Sequence, residues 1–135
     1  MKHTPRVKFV GGNMYADHTN LQIAGQLLIA VLFLGTGIIN STTKAKQHVE
    51  RMAAMNIPVP ALTLWVGFAM QYAGGIMVAL DYRADIGAMI LIVFTLAATA
   101  MFHRWWLVDD PLRKHLHLSF VFSNCAVLGG LLFLI

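Results

Sequence analysis

Ten uncharged polar side chains, Gln26, Thr36, Asn40, Thr63, Gln71, Tyr72, Thr95, Thr99, Ser123 and Asn124, lie within long apolar runs of the chain. Gln71 and Asn124 stand out, because a carboxamide both donates and accepts and so is able to hold a quinone carbonyl or a neighbouring helix. Tyr72 adds a phenol beside Gln71. Three imidazoles, His103, His115 and His117, frame the loop before the last apolar run, where they suit proton relay, metal ligation or capping of a quinone headgroup. His115 and His117 are two residues apart, so on a helix they point about 200° from one another and cannot share one ion. Asp109 and Asp110 precede Pro111, which is a helix-start signal rather than a catalytic acid pair. The plainer reading of each group is structural: amides bonded across helices, interfacial histidines in water, and Cys125 as a protonated packing residue. No glycine-rich phosphate loop, nucleophile elbow, HExxH or CxxCH motif occurs, so the chain carries no self-contained active site and no metal site.

Whatever these groups do, they do it in a bilayer. The chain has 135 residues, 58% hydrophobic and 12% charged, with a mean hydropathy of +0.66. Its Lys, Arg, Asp and Glu fall between apolar runs instead of alternating with apolar residues along them. Crossing about 30 Å of hydrocarbon at about 1.5 Å per residue takes about 20 apolar residues. Four segments, about 21–39, 61–80, 86–102 and 116–135, meet that requirement without a single charge. They are continuously apolar, which predicts helices rather than barrel strands. The expected fold is therefore an all-α integral membrane protein, a four-transmembrane-helix bundle occupying residues 21–135. A polar amino-terminal arm, residues 1–20, precedes it and is expected to be irregular and loosely held. The first run starts too far in and is too long for a cleavable signal peptide.

The loops carry their own information. Between the first and second spans, charged residues from Lys44 to Arg51 alternate with Val49, Met52, Ala53 and Met55, which predicts a short interfacial helix stopped by Pro58 and Pro60. Residues 81–85 are too few for anything but a tight turn between antiparallel neighbours. Tyr82, Trp105 and Trp106 suit headgroup-level anchors. The net charge of +4 is spread over every loop without aromatic interleaving, so nucleic acid is excluded as a partner and the cations read as membrane anchors. Lys and Arg number four on one face and six on the other, which leaves orientation open. Gly35 with Gly37, Gly74 with Gly75, and Gly129 with Gly130 are expected to let helices approach closely.

The order of several loose motifs adds a family resemblance: Val31-Leu32-Phe33-Leu34-Gly35-Thr36-Gly37, then Met55-Asn56-Ile57-Pro58-Val59-Pro60, Gly74-Gly75, His103, and Asn124-Cys125-Ala126-Val127-Leu128-Gly129-Gly130. Over about residues 23–135 the chain resembles the DoxX family of small four-helix membrane proteins. That resemblance implies a membrane subunit of a larger redox or quinone-linked complex in a bacterial or archaeal cytoplasmic membrane. Quinone is the cofactor it points to, and other membrane subunits are the implied partners besides lipid. Where the family commonly has a glutamate three residues before the paired glycines, this chain has Gln71, which cannot ionise and so weakens a proton-transfer role there. His103 and Asn124 remain compatible with the pattern. The expected ligand site, for quinone or lipid, is Gln71, Tyr72, His103 and Asn124. The alternative from a different class is a purely structural accessory subunit that stabilises a large assembly without chemistry of its own.

Overall fold

A computed structural model describes residues 15–135, so most of the expected arm, residues 1–14, lies outside the described residues. Five helices follow in order: α1 (Asn20–Thr43), α2 (Ala45–Ala54), α3 (Pro60–Ala79), α4 (Ala84–Phe102) and α5 (Pro111–Leu132), with a 3-10 turn at Trp105–Leu107. The described residues contain no strand. The chain is an all-helical membrane protein, since α1, α3, α4 and α5 are each long and apolar enough to cross a bilayer. Leu28, Val31, Val93 and Phe122 are each more than half exposed, a surface that hydrocarbon tolerates and water does not.

Local chemistry explains the helix ends. Thr19 caps α1 and exchanges hydrogen bonds with Gln22 in a capping box. At its other end α1 runs four residues past the expected Ile39. Ser41, Thr42 and Thr43 donate their hydroxyls to the carbonyls of Ile38 and Ile39, so polar side chains are satisfied without leaving the helix. Asp110 accepts from the backbone N–H of Leu112, and Pro111 occupies the first turn of α5. That helix thus begins five residues before the expected span, and Arg113, Lys114 and His115 sit on helix rather than loop. Lys114 rests over the Trp105 ring at 5.7 Å, a cation–π contact at interface depth. The predicted helix α2 forms, with Met52 fully buried against Leu64 and Phe68.

The tightest packing is between α3 and α4. An added Cβ at Gly74 would lie 2.9 Å from the Gly87 carbonyl oxygen and 2.7 Å from Leu91 Cγ, and one at Gly75 would lie 2.8 Å from Leu34 Cδ2. The other glycine pairs behave differently. Gly35 and Gly129 have nothing within 4 Å, while a Cβ at Gly37 would meet Gln71 Cδ at 3.3 Å. Small residues therefore serve close helix approach at Gly74, Gly75 and Gly87, and serve clearance for one amide at Gly37.

Residues 15–18, within the expected arm, are tied down. Tyr15 donates its hydroxyl to the carbonyls of Val78 at 3.1 Å and Ala79 at 2.8 Å, and its backbone N–H to Asp81 Oδ2 at 3.3 Å. Gln26, buried in α1, donates to Asp81 Oδ1 at 3.0 Å and to the Val78 carbonyl at 2.9 Å. His18 Nε2 stands 3.7 Å from the same carboxylate. These groups satisfy the open carbonyls at the end of α3. Burial, then the Asp81 charge, raises the Tyr15 pKa, which keeps the phenol protonated as a donor.

Candidate functional site

A cavity of about 450 Å³ lies among all five helices toward the face that carries α2. Much of its wall is apolar, with Leu32, Phe33, Met70, Phe94 and Val127, and six neutral polar residues, Thr36, Asn40, Thr63, Gln71, Thr95 and Asn124, break that surface. His48, Arg51, Phe102 and His103 form its outer end. The volume and the mix of apolar wall and few polar groups suit a small amphipathic molecule.

The two carboxamides are fixed by threonines. Thr36 donates its hydroxyl to the Leu32 carbonyl at 2.6 Å, so its oxygen is left to accept, and Gln71 Nε2 donates to it at 2.8 Å. The same logic repeats across the other helix pair. Thr99 donates to the Thr95 carbonyl at 2.7 Å and accepts from Asn124 Nδ2 at 2.8 Å. Each threonine has one proton to give, and giving it to its own helix dictates which end of the amide must face it. Each amide thereby keeps its oxygen and one N–H for other partners, and among the described residues no protein group accepts from or donates to them. The amides thus bond across helices and also line the cavity.

The histidines separate by role. His103 Nδ1 and His117 Nδ1 are 3.2 Å apart, joining the end of α4 to α5. One of the two Nδ1 atoms must carry the proton, leaving the Nε2 atoms to make other contacts. His103 also stacks on Phe120 at 5.1 Å between ring centroids. His115 is exposed on α5, and no group of three metal-ligating side chains occurs among the described residues.

Of the four expected ligand residues, the structure brings Gln71, His103 and Asn124 to one cavity. Tyr72 turns away, and its hydroxyl pairs with Ser41 at 2.7 Å. Adjacent residues on a helix point about 100° apart, so Gln71 and Tyr72 cannot both face the same space. Sequence reasoning placed His48 and Arg51 on an interfacial helix but not at the cavity. Their i, i+3 spacing, with Met52 as the adjoining apolar residue, was the available signal.

His48 lies between the spans. Burial first, then the charges of Arg51 and Lys44, hold its pKa below the ordinary imidazole range. The unfolded chain, titrating near about 6.5, therefore binds this proton more readily than the folded chain. Stability from His48 is complete above that value and is lost as pH falls through it toward the folded pKa. Unfolding measured in mixed micelles from about pH 8 to 5 should show destabilisation on acidification that His48→Gln reduces. An unchanged pH slope in that variant would remove His48 from the account.

A four-span helical bundle with an internal amphipathic cavity is the class that fold and site define. The DoxX family model matches residues 22–104, well over half of the chain, and the protein belongs to the DoxX family. The matched stretch contains α1 to α4 with Gln71 and His103; Asn124 and His117 on α5 lie beyond it. No curated protein and no solved structure matches the chain.

Proposed function

We propose that this DoxX-family protein is the membrane subunit of a larger redox or quinone-linked complex, and that its cavity holds a quinone or a lipid-like amphiphile. One observation carries the ligand reading: Gln71 and Asn124, each anchored through a threonine, line an apolar cavity within the bilayer-spanning bundle. A ligand carbonyl meets N–H donors there, and a ligand hydroxyl meets amide oxygens. Gln71 holds no charge, so it orients the ligand without exchanging protons.

Gly67 offers a clean test. It lines the cavity, and an added Cβ would meet Phe94 at 3.5 Å, an ordinary contact. Gly67→Leu should fill the space while preserving the fold. Protein extracted gently from its own membrane should carry a small amphiphile that native mass spectrometry detects, and Gly67→Leu should lose it. Retention of the same molecule by Gly67→Leu would show that it binds elsewhere.

The membrane-subunit reading draws support from α5, on which Leu131 alone is buried among the described residues. That helix presents most of its surface to lipid or to neighbouring subunits. A purely structural accessory role is favoured if stoichiometric redox subunits accompany both wild type and Gly67→Leu with equal turnover per complex.

A further inference from the structure

The outer end of the cavity differs in kind from its interior. Among the described residues, Arg51 is its formally charged wall residue, and no Asp or Glu lines it. The guanidinium lies 5.2 Å from the Phe102 ring centroid and makes no ion pair among the described residues. His48 meets the same ring edge-on at 5.4 Å, and its buried Nδ1 has no hydrogen-bond partner among the described residues. His103 completes the rim.

Helix geometry places these groups together and keeps acid away. Met52 is fully buried and pins α2 to α3. His48 precedes it by four residues and Arg51 follows His48 by three, so both reach the cavity wall, His48 half-buried and Arg51 exposed at the mouth. Glu50, the acidic residue of α2, is two positions from His48 and therefore about 200° round the helix. It is exposed and absent from the cavity wall. An arginine beside an aromatic ring, an unpartnered imidazole nitrogen and a wall free of carboxylates among the described residues form a receptor for oxygen anions. Guanidinium is weakly hydrated and suited to bidentate recognition of a carboxylate or phosphate.

We propose that this end of the cavity binds an anionic oxygen headgroup, the carboxylate or phosphate of a single-chain amphiphile whose apolar chain occupies the inner cavity. The proposal rests on the reading of the cavity as a ligand pocket and specifies the chemistry of what enters it. Arg51 supplies the charge, and His48 donates from Nδ1 in the tautomer that an anion selects. The neutral amides at Gln71 and Asn124 lie deeper, where an uncharged polar group or a chain passes.

The test uses the full chain in nanodiscs of zwitterionic lipid, with empty nanodiscs as the partition control. Hexadecyl probes bearing a carboxylate, a phosphate, a hydroxyl or a trimethylammonium head are titrated calorimetrically. The two anions should bind about tenfold or more tightly than the alcohol, and the ammonium more weakly still, as expected for a difference of about 1.4 kcal/mol. Arg51→Gln should erase that preference, Arg51→Lys should retain much of it, and Gly67→Leu should abolish binding of every probe. Equal binding of alcohol and anions, or an anion preference unaltered by Arg51→Gln in a folded variant, overturns the headgroup assignment and leaves the pocket standing. A short-chain quinone bound more tightly than either anion and indifferent to Arg51→Gln does the same. Failure of all probes, or binding indifferent to Gly67→Leu, overturns the pocket reading itself. Selective carboxylate over phosphate binding identifies a fatty acid as the source of the headgroup, and the reverse identifies a phospholipid fragment.

Discussion

Gly74→Ala is expected to lower stability by about 1–3 kcal/mol, the range for forcing extra atoms into a packed interior. The new methyl would meet the Gly87 carbonyl oxygen at 2.9 Å and Leu91 Cγ at 2.7 Å. Neither is the free end of a flexible side chain. Relief requires α3 and α4 to separate, and the buried cluster of Val78, Ala88 and Leu91 would open with them. Gly35→Ala and Gly129→Ala supply the contrast, because nothing lies within 4 Å of either added Cβ. Those variants should match wild type or gain slightly from the lower backbone entropy of the unfolded chain. Sodium dodecyl sulfate titration in mixed micelles measures all three. Equal destabilisation by all three substitutions would contradict the close approach at Gly74.

The second large effect is expected at Asp81. It is 7% exposed, in the turn between α3 and α4, and receives donors from Tyr15 and Gln26 with His18 alongside. Asp81→Ala removes the acceptor that three separate groups converge on. A buried donor left without its partner costs about 1–3 kcal/mol, so the loss should reach at least that range. Asp81 has φ of 51°, a conformation that Asn and Asp adopt more readily than alanine. Asp81→Asn therefore keeps the backbone conformation and one acceptor oxygen, and should lose less than Asp81→Ala. Hydrogen exchange at residues 15–19 should accelerate in Asp81→Ala. Unaltered exchange there would mean that the contacts of Tyr15 and Gln26 with the Val78 and Ala79 carbonyls suffice to hold the arm.

Legibility in the sequence divided along physical lines. Spans were readable because a bilayer demands about 20 uninterrupted apolar residues, a local property. Asp110 and Pro111 were legible as a helix start, although the span was expected only from about residue 116; α2 ends at Ala54, before Asn56 at φ of 58°, and Pro60 opens α3 instead of closing α2. The over-run of α1 to Thr43 escaped because a hydroxyl in a helix is able to bond its own carbonyls, which polarity alone does not reveal. At the site, Gln71 and Asn124 were visible as amides at depth, and His103 as an imidazole near the interface.

What the sequence by itself determined is the environment: four apolar helices, a basic interfacial helix and a few neutral polar groups that had to find partners in a medium without water. The tertiary structure alone decided which partners they found. It set Gln71 on Thr36 and Asn124 on Thr99, sent Tyr72 to Ser41, and paired His103 with His117 across fourteen residues. It also folded α2 over the cavity mouth, bringing His48 and Arg51 to Phe102. Each outcome depends on the rotation of one helix against another. That rotation is set by packing contacts such as Gly74 on Gly87 and Met52 on Leu64, which couple residues distant in the chain and leave no local pattern in it.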